Sequence, residues 1–335
     1  MTTERTVLQE RLINIVHRFA QRKVLVVGDS VADQFVFGAI SRVSREAPVF
    51  ILKHEHTETT PGGAANCAMN LAALGASVSL VSVAGEDEAG KALSERMQAA
   101  GVDCRGLITS PSLQTTTKVR ILAGETHSKR QQVIRIDYEG QAPADFRLRR
   151  ALYESLVDLL GSVDAVIISD YNYGVVNPEI VEAIRDIADS RRIPVLVDSR
   201  FQLASYTGFT SATPNEEEVE KLLDTTLTGD ELNTAGQELR QKLGHRALLV
   251  TRGSRGMTLF EDGVDALELE AVGAREPVDV TGAGDTVIAT YTLALASDAS
   301  FSDAARLANY AGGLVVMKRG TATTNSDELI DSLLR

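Results

Sequence analysis

Short apolar runs alternate with helical patterns along most of the chain. Runs rich in Val, Ile and Leu are typical of strands that are buried on both faces. They lie at 23–27, 78–83, 165–169, 195–198 and 248–251, with helical segments at 88–100, 146–160 and 178–190. Strands that alternate with helices form a parallel sheet with both faces covered. The pattern therefore predicts an α/β fold with a parallel central sheet and helices on both of its faces.

Four other segments have alternating or aromatic patterns, which are typical of antiparallel strands. They lie at 34–38, 48–53, 115–122 and 131–136. Because they interrupt the alternation of strands and helices, we expect them to form a small sheet of their own. This second sheet would span roughly 34–54 and 115–137.

Composition narrows the class of protein. The 335 residues carry a net charge of −12, which argues against a nucleic-acid surface because a phosphate backbone would be repelled. The two cysteines, Cys67 and Cys104, lack the spacing of a metal site, and we expect buried thiols in a reducing compartment. No apolar stretch resembles a signal peptide or a membrane span. We therefore expect a cytoplasmic protein without nucleic-acid or membrane partners.

One loop that leads into a helix carries the strongest chemical signal. Gly282 and Gly284 flank Ala283, Asp285 follows, and an apolar helical run begins at Val287. Small residues at a helix N-terminus let backbone N–H groups converge on an anion. Two roles are open for Asp285. It caps the helix and complements the helix dipole, or it accepts a proton from a hydroxyl that attacks the bound anion.

The segment 279–285 resembles the C-terminal signature of the ribokinase-like (PfkB) carbohydrate kinases. Three further motifs of that family occur in the expected order, namely Gly28-Asp29, Gly62-Gly63-Ala64-Ala65-Asn66 and the Asn215-x-x-Glu218 pattern. Together they span nearly the whole chain. The resemblance implies one ribokinase-like kinase domain over 1–335, in which the small sheet is a lid over the sugar. In that family the lid often pairs two subunits, so we expect a homodimer through the lid.

The resemblance also implies a reaction, the transfer of the γ-phosphoryl group of ATP to a sugar hydroxyl. Asp285 would be the base, and the amides of Gly282, Ala283, Gly284 and Asp285 would stabilise the developing charge. A sugar-binding role is implied for Asp29, Gly62, Gly63 and Asn66. The alternatives are a turn-capping aspartate at Asp29 and glycines that only permit close packing.

The same resemblance assigns the nucleotide and metal sites. The residues implied near ATP are Asn215, Thr251, Gly253, Gly256, Asn309 and Gly312. Glu218 would hold Mg²⁺ through water, and the alternative reading of the acids in this segment is a complement to the helix dipole. In many relatives a monovalent cation such as K⁺ lies behind the anion hole, which implies Asp279 and Thr281 here.

Some segments are also similar to the kinase domain of the ADP-heptose synthases, which phosphorylates O1 of a heptose 7-phosphate. These segments lie at 41–49, 61–66, 70–76 and 279–288. A phosphorylated sugar needs cations, for which Arg42, Arg45, Lys118 and Arg120 on the lid are available; we assign Arg42 and Arg120 to the substrate. The alternative is a solvated basic surface.

The chain departs from those relatives at two places. They have lysine at the position of Tyr173 and Asp-Pro-Lys where this chain has Asp198-Ser199-Arg200. The departures concern the substrate rather than the fold. Two rival functions therefore stay open, a kinase of another sugar such as ribose or fructose, and a sugar or nucleotide sensor that kept the fold without catalysis.

Overall fold

The computed structural model describes residues 2–124, 130–140, 145–227, 231–273 and 277–335. The strands are β1 (Lys23–Gly28), β2 (Ser30–Val43), β3 (Phe50–Gly63), β4 (Ser77–Gly85), β5 (Asp103–Ser110), β6 (Thr117–Gly124), β7 (Gln131–Tyr138), β8 (Ala165–Asp170), β9 (Val195–Ser199), β10 (Ser211–Ala212), β11 (Ala247–Thr251), β12 (Met257–Glu261) and β13 (Leu267–Leu269). The helices are α1 (Thr2–Val16), α2 (Ala64–Ala73), α3 (Glu88–Ala99), α4 (Phe146–Leu160), α5 (Pro178–Arg191), α6 (Glu216–Leu223), α7 (Glu231–Leu243), α8 (Ala283–Ala296), α9 (Phe301–Val315) and α10 (Ser326–Leu334).

The central sheet has the strand order β13-β12-β11-β10-β9-β8-β1-β4-β5. From β11 to β5 every neighbouring pair is parallel. The predicted parallel sheet is therefore confirmed, with one correction at its edge, where β12 pairs antiparallel with both β11 and β13. Only the short turn 252–256 joins β11 to β12, and a parallel pairing would require a crossover of a dozen or more residues.

Helices cover both faces of this sheet, and each face has its own hydrophobic core. In β1, Val24 and Val26 belong to the core under α1, α2, α8 and α9, whereas Leu25 and Val27 belong to the core under α4, α5 and α7. Successive strand residues point to opposite faces, so a strand buried on both faces is apolar at every position. Among the described helices, none is long and apolar enough to cross a bilayer.

The small sheet has the order β3-β2-β6-β7. The pairs β2–β3 and β6–β7 are antiparallel as predicted, but β2 and β6 run parallel, with Ala32 beside Thr117. Because β6 follows β2 only after a long excursion through β4, α3 and β5, the two strands are not constrained as a hairpin. β2 and β3 also extend further than predicted, to the pair Ser30 and Gly63 at the edge of the central sheet.

Candidate active site

A cleft of about 340 Å³ lies between the carboxyl ends of the central strands and the small sheet. Its walls carry an unusual density of charge for so small a space. The charged residues that line it are Asp33, Lys118, Arg120, Arg135, Asp170, Asp198, Arg200, Glu218 and Asp285. Ligands of open α/β sheets bind outside the carboxyl ends of the strands, so this cleft is where bound substrates are expected.

Asp285 lies in the first turn of α8 and is buried at the base of the cleft. Its Oδ2 accepts a hydrogen bond from Asn66 Nδ2 at 2.7 Å, and its Oδ1 accepts from the Tyr171 hydroxyl at 3.0 Å. Burial raises the pKa of Asp285 to about 6, although these donors and the Cys67 thiol favour the carboxylate. No side chain caps α8. The geometry therefore supports a proton acceptor rather than a helix cap.

Gly282 lets this arrangement form, because it precedes α8 with φ at +77°. A Cβ at Gly282 would also lie 2.5 Å from Asn66 Nδ2, so a side chain there would displace the group that orients the base. Gly284 faces open space at the cleft, and first-turn amides of a helix lack an intrahelical acceptor. Ala283 departs from the prediction, because its amide donates to Val280 O at 3.2 Å and is not free for an anion.

Asn66, which was predicted to contact the sugar, lies beside Asp285. It is buried in α2, donates to Asp285 and accepts from Asn70 Nδ2 at 3.2 Å. Thr286 Oγ1 donates in turn to Asn70 Oδ1 at 2.8 Å. The Asn66 amide thus joins Asp285 to α2 and positions the carboxylate, while a contact between Asn66 and the sugar stays a prediction.

Asp29, which was predicted to bind sugar hydroxyls, accepts hydrogen bonds from a backbone loop. Its buried carboxylate accepts the backbone N–H groups of Tyr171 at 2.8 Å, Tyr173 at 3.0 Å and Val175 at 3.1 Å. Burial raises the pKa of Asp29, and those three amides oppose the effect. The turn-capping alternative is thus the one that the geometry supports, and Asp29 fixes the loop that carries Tyr171.

Asp33 is the acidic residue of β2 that reaches the cleft, and its place in the site was not predicted from the sequence. Its carboxylate forms an ion pair with Arg120 on the neighbouring strand β6. Gly62 leaves room for it, because a Cβ there would lie 2.3 Å from Asp33 Oδ2. Gly63 has φ at +57°, and a Cβ there would lie 2.6 Å from Asp29 O and 3.3 Å from the Tyr171 ring. A strand predicted to begin at Ser30 would have placed Val31 and Asp33 on one face.

The predicted cationic residues of the lid separate into two groups. Arg42 is exposed nine residues beyond Asp33 on β2, about 30 Å along an extended strand, and it does not line the cleft. Arg120 lines the cleft, but its charge is paired with Asp33. Lys118 and Arg200 lie in the cleft over the Tyr171 ring, at 5.6 and 5.9 Å from its centroid. Within the described ranges neither has an ion-pair partner.

Asn215 and Glu218 form a capping box at the start of α6. Asn215 Oδ1 accepts from the Glu218 amide, and Glu218 Oε2 accepts from the Asn215 amide, both at 2.9 Å. These contacts cap α6, and the Glu218 carboxylate also lines the cleft together with Asp198. A role for Glu218 in holding Mg²⁺ stays a prediction.

The two carboxylates of Asp198 and Glu218 fit a divalent cation. Burial raises the pKa of Asp198 to about 8, and the negative charges of Asp285 and Glu218 add to the shift. A cation would relieve this repulsion, and Mg²⁺ prefers one or two carboxylates together with waters and substrate phosphates. Asp198 and Glu218 are the residues that would hold it.

Asp279 joins the loop before α8 to a distant turn. Its Oδ1 accepts from the Thr281 amide at 3.0 Å and its Oδ2 from the Gly320 amide at 2.9 Å. Burial acts to raise the pKa of Asp279, but these hydrogen bonds outweigh it and hold the pKa below its usual range. Thr281 lines the cleft. A K⁺ ion near these two residues stays a prediction.

The residues predicted to contact the nucleotide are only partly on the cleft. Thr251 lines it next to Asn215, and Gly253, with φ at +56°, borders open space. Gly256 instead packs on β13, since a Cβ there would lie 2.0 Å from Leu269 O.

Asn309 and Gly312 also serve packing in this structure. Asn309 Nδ2 donates to Glu270 O at 2.7 Å, and Gly312 permits the close approach of α9 to Val287 on α8. Neither lines the described cleft, and a role for Asn309 and Gly312 near ATP stays a prediction.

Comparison with known proteins agrees with the fold and the cleft. Residues 21–328 match the family described as pfkB family carbohydrate kinase, and the chain belongs to that family. Over 93% of its length it is 44% identical to the bifunctional protein HldE of Pseudomonas aeruginosa strain LESB58, and 42% identical to HldE of Alcanivorax borkumensis. The chain spans 64% and 63% of the length of these two relatives.

Two solved structures show the same fold at low sequence identity. The first is the ribokinase of Arabidopsis thaliana complexed with ribose and ATP, with a TM-score of 0.73 and 22% identity over 93% of this chain and 98% of the other. The second is phosphofructokinase-2 from Escherichia coli in complex with substrates and products, with a TM-score of 0.77 and 19% identity over the same shares.

Proposed function

We propose that this protein transfers the γ-phosphoryl group of ATP to O1 of D-glycero-D-manno-heptose 7-phosphate. The observation that carries the proposal is the buried Asp285 carboxylate beside the open N-terminus of α8, within a chain of the pfkB family. Asp285 takes the proton of the acceptor hydroxyl. The hydroxyl oxygen bonds to the γ-phosphorus, and the bond between the γ-phosphorus and the oxygen that leaves with ADP breaks. The amides of Gly284 and Asp285 stabilise charge on the transferring group. Mg²⁺ supplies neutralisation of the phosphate charge when it is bound.

The proposed substrate class rests on two cations of the cleft, Lys118 and Arg200, which have no ion-pair partner among the residues that the structure describes. Lys118 and Arg200 face the cleft together, and the charge of Arg200 adds to the burial that lowers the pKa of Lys118, an effect that Asp33 opposes. Two neighbouring cations favour a dianionic ligand group, because each contact is a charge-assisted hydrogen bond. Together with the segments similar to ADP-heptose synthases, they favour a sugar that carries a distal phosphate.

The direct test is an ATP-consumption screen over heptose 7-phosphate, fructose 6-phosphate, ribose and fructose, with the product identified by ³¹P NMR. We expect the highest kcat/KM with heptose 7-phosphate and a product phosphorylated at O1. A preference for ribose or fructose would replace the substrate assignment with the plain-sugar alternative. Binding of ligands without turnover would support the sensor.

We predict that Glu218→Gln raises the Mg²⁺ concentration needed for half-maximal activity by roughly tenfold, since a neutral amide binds a hard cation more weakly than a carboxylate. Sugar binding should be unchanged. The measurement is a Mg²⁺ titration of initial rates at saturating ATP. Glu217→Gln, an exposed change in the same helical turn, is the matched control, and equal Mg²⁺ dependence in both variants would remove Glu218 from the metal site.

We also propose a cytoplasmic homodimer that forms through the small sheet. The outer strands of that sheet expose apolar side chains, among which Phe50 is 60% exposed and Ile134 is 52% exposed. Such residues on sheet strands are suited to burial against a second copy. Light scattering should give twice the mass of 36.0 kDa, and Ile134→Glu should give the monomer. A monomeric wild type at micromolar concentration would refute this proposal.

A further inference from the structure

Tyr171 donates a hydrogen bond to Asp285 from the cleft, the side from which an acceptor hydroxyl would approach. Its hydroxyl donates to Oδ1 at 3.0 Å, while Oδ2 is held by the buried Asn66 at 2.7 Å. Tyr171 lines the cleft, whereas Asn66 lies behind the base in α2. A general base must come within hydrogen-bond distance of the proton that it removes. Oδ1 also accepts from the buried Cys67 thiol at 3.6 Å, so Tyr171 is the one of these three donors that lines the cleft. On the cleft side, Asp285 is therefore already engaged by a hydroxyl of the protein itself.

The backbone around Tyr171 is fixed, so only its side chain is free to move. Asp29 accepts the amides of Tyr171 and Tyr173, and Asp170 Oδ1 accepts the amide of Asn172 at 2.8 Å. Asp170 is itself held through Oδ2 by the hydroxyls of Ser199 at 2.9 Å and Tyr206 at 2.7 Å. Release of Asp285 thus requires rotation of the phenol about its side-chain bonds rather than movement of the loop.

The ring of Tyr171 is also in contact with the two cations assigned to the substrate phosphate. Lys118 lies 5.6 Å and Arg200 lies 5.9 Å from its centroid. A cation–π contact is generally weaker than a charge-assisted hydrogen bond to a phosphate. A phosphate that engages these cations would draw them from the ring and loosen the phenol.

We propose that Tyr171 is a positioning residue that caps Asp285 until the phosphorylated sugar displaces it, and that the cap prevents water from acting as the acceptor while the sugar site is empty. This inference rests on the proposed function. With water as acceptor, Asp285 would take a proton from water, the water oxygen would bond to the γ-phosphorus, and ADP and phosphate would leave. Tyr171 keeps its own proton in both reactions.

The test is ATP hydrolysis in the absence of any sugar. Tyr171→Phe removes only the hydroxyl and should raise the hydrolysis rate at least about tenfold, the scale of one lost charge-assisted hydrogen bond. KM for the accepted sugar phosphate should fall severalfold, because no phenol has to be displaced, and kcat should stay within about threefold. Tyr173→Phe is the matched control in the same loop and should leave hydrolysis at the wild-type rate.

Two further variants decide the mechanism. Adding Asp285→Asn to Tyr171→Phe should abolish the extra hydrolysis, since the uncapped carboxylate is the base in that reaction.

If Tyr171→Phe does not fold, as judged by circular dichroism, Tyr171→Leu replaces it. Hydrolysis at the wild-type rate in a folded Tyr171 variant, or an equal rise in Tyr173→Phe, would overturn the proposal. Because no sugar is present, a failed sugar screen would sink the substrate assignment and leave this test intact.

Discussion

Asp285→Asn is expected to lower kcat by roughly 10²- to 10⁴-fold, the usual contribution of a general base. The affinities for sugar and ATP should stay within a few-fold, because the loss falls on the chemical step. Steady-state kinetics together with calorimetric binding measurements would separate the two. Normal turnover by this variant would show that another group removes the proton.

A matched control is available in α9. Asp303 is as buried as Asp285, each with 5% exposure, but it pairs with Arg11 on α1 far from the cleft. Asp303→Asn should cost stability without a comparable loss of kcat. A similar loss in both variants would mean that removing any buried carboxylate disturbs the enzyme.

The pH profile gives an independent check of the same base. Burial raises the pKa of Asp285 to about 6, and only the carboxylate form can accept a proton. The groups that face it are Asn66, Cys67, Tyr171, Asp33 and Asp198. We expect kcat/KM to fall about tenfold per pH unit below pH 6, because protonation removes the base. This ratio is the one to measure, since its pH dependence reports the pKa values of the free enzyme.

Asp285 should also have an effect on stability with a definite sign. A carboxyl whose pKa is raised on folding makes the native state lose stability as pH rises from the unfolded pKa, about 4, to the folded pKa, about 6. Asn has no such charge, so Asp285→Asn should not lower the melting temperature at pH 8. A drop there would mean that the lost hydrogen bonds outweigh the removed charge.

Lys118→Ala and Arg200→Ala are each expected to raise KM for heptose 7-phosphate by roughly 10- to 150-fold. Each change removes a charge-assisted contact to the distal phosphate, worth about 1.5–3 kcal/mol. KM for ATP should change by less than about threefold. The measurement is a two-substrate kinetic matrix for each variant. If Arg200→Ala raises KM for ATP instead, Arg200 belongs to the nucleotide phosphates and not to the sugar.

Arg42→Ala is the control for both changes, since it removes an exposed guanidinium of the same sheet away from the cleft. It should leave KM for the sugar phosphate within about twofold. Arg120→Ala is a poor control, because it leaves the buried carboxylate of Asp33 without its partner. A strong effect of Arg42→Ala would place the substrate phosphate at the far end of the lid.

Local sequence patterns were enough to predict much of the fold. The apolar runs of β1, β8, β9 and β11 and the loop that enters α8 were predicted because each signal lies within about ten residues. The resemblance to the family came from this loop together with the motifs at 28–29, 62–66 and 215–218. Weaker patterns were missed, among them the two-residue strand β10 and the short β13, whose pairing depends on neighbours rather than on their own composition.

The partners of the polar residues could not be read from the chain. Asn66 and Asp285 are 219 residues apart, and Asp29 and Tyr171 are 142 residues apart. A sequence shows that an amide or a carboxylate is present. The hydrogen bonds that this group makes depend on which other groups lie within about 3 Å of it in the folded protein. That is why Asn66 and Asp29 hold the protein's own groups, while Asp33, Tyr171 and Arg200 line the cleft. The residue types come from local motifs, and their roles come from contacts that only the packed strands and helices create.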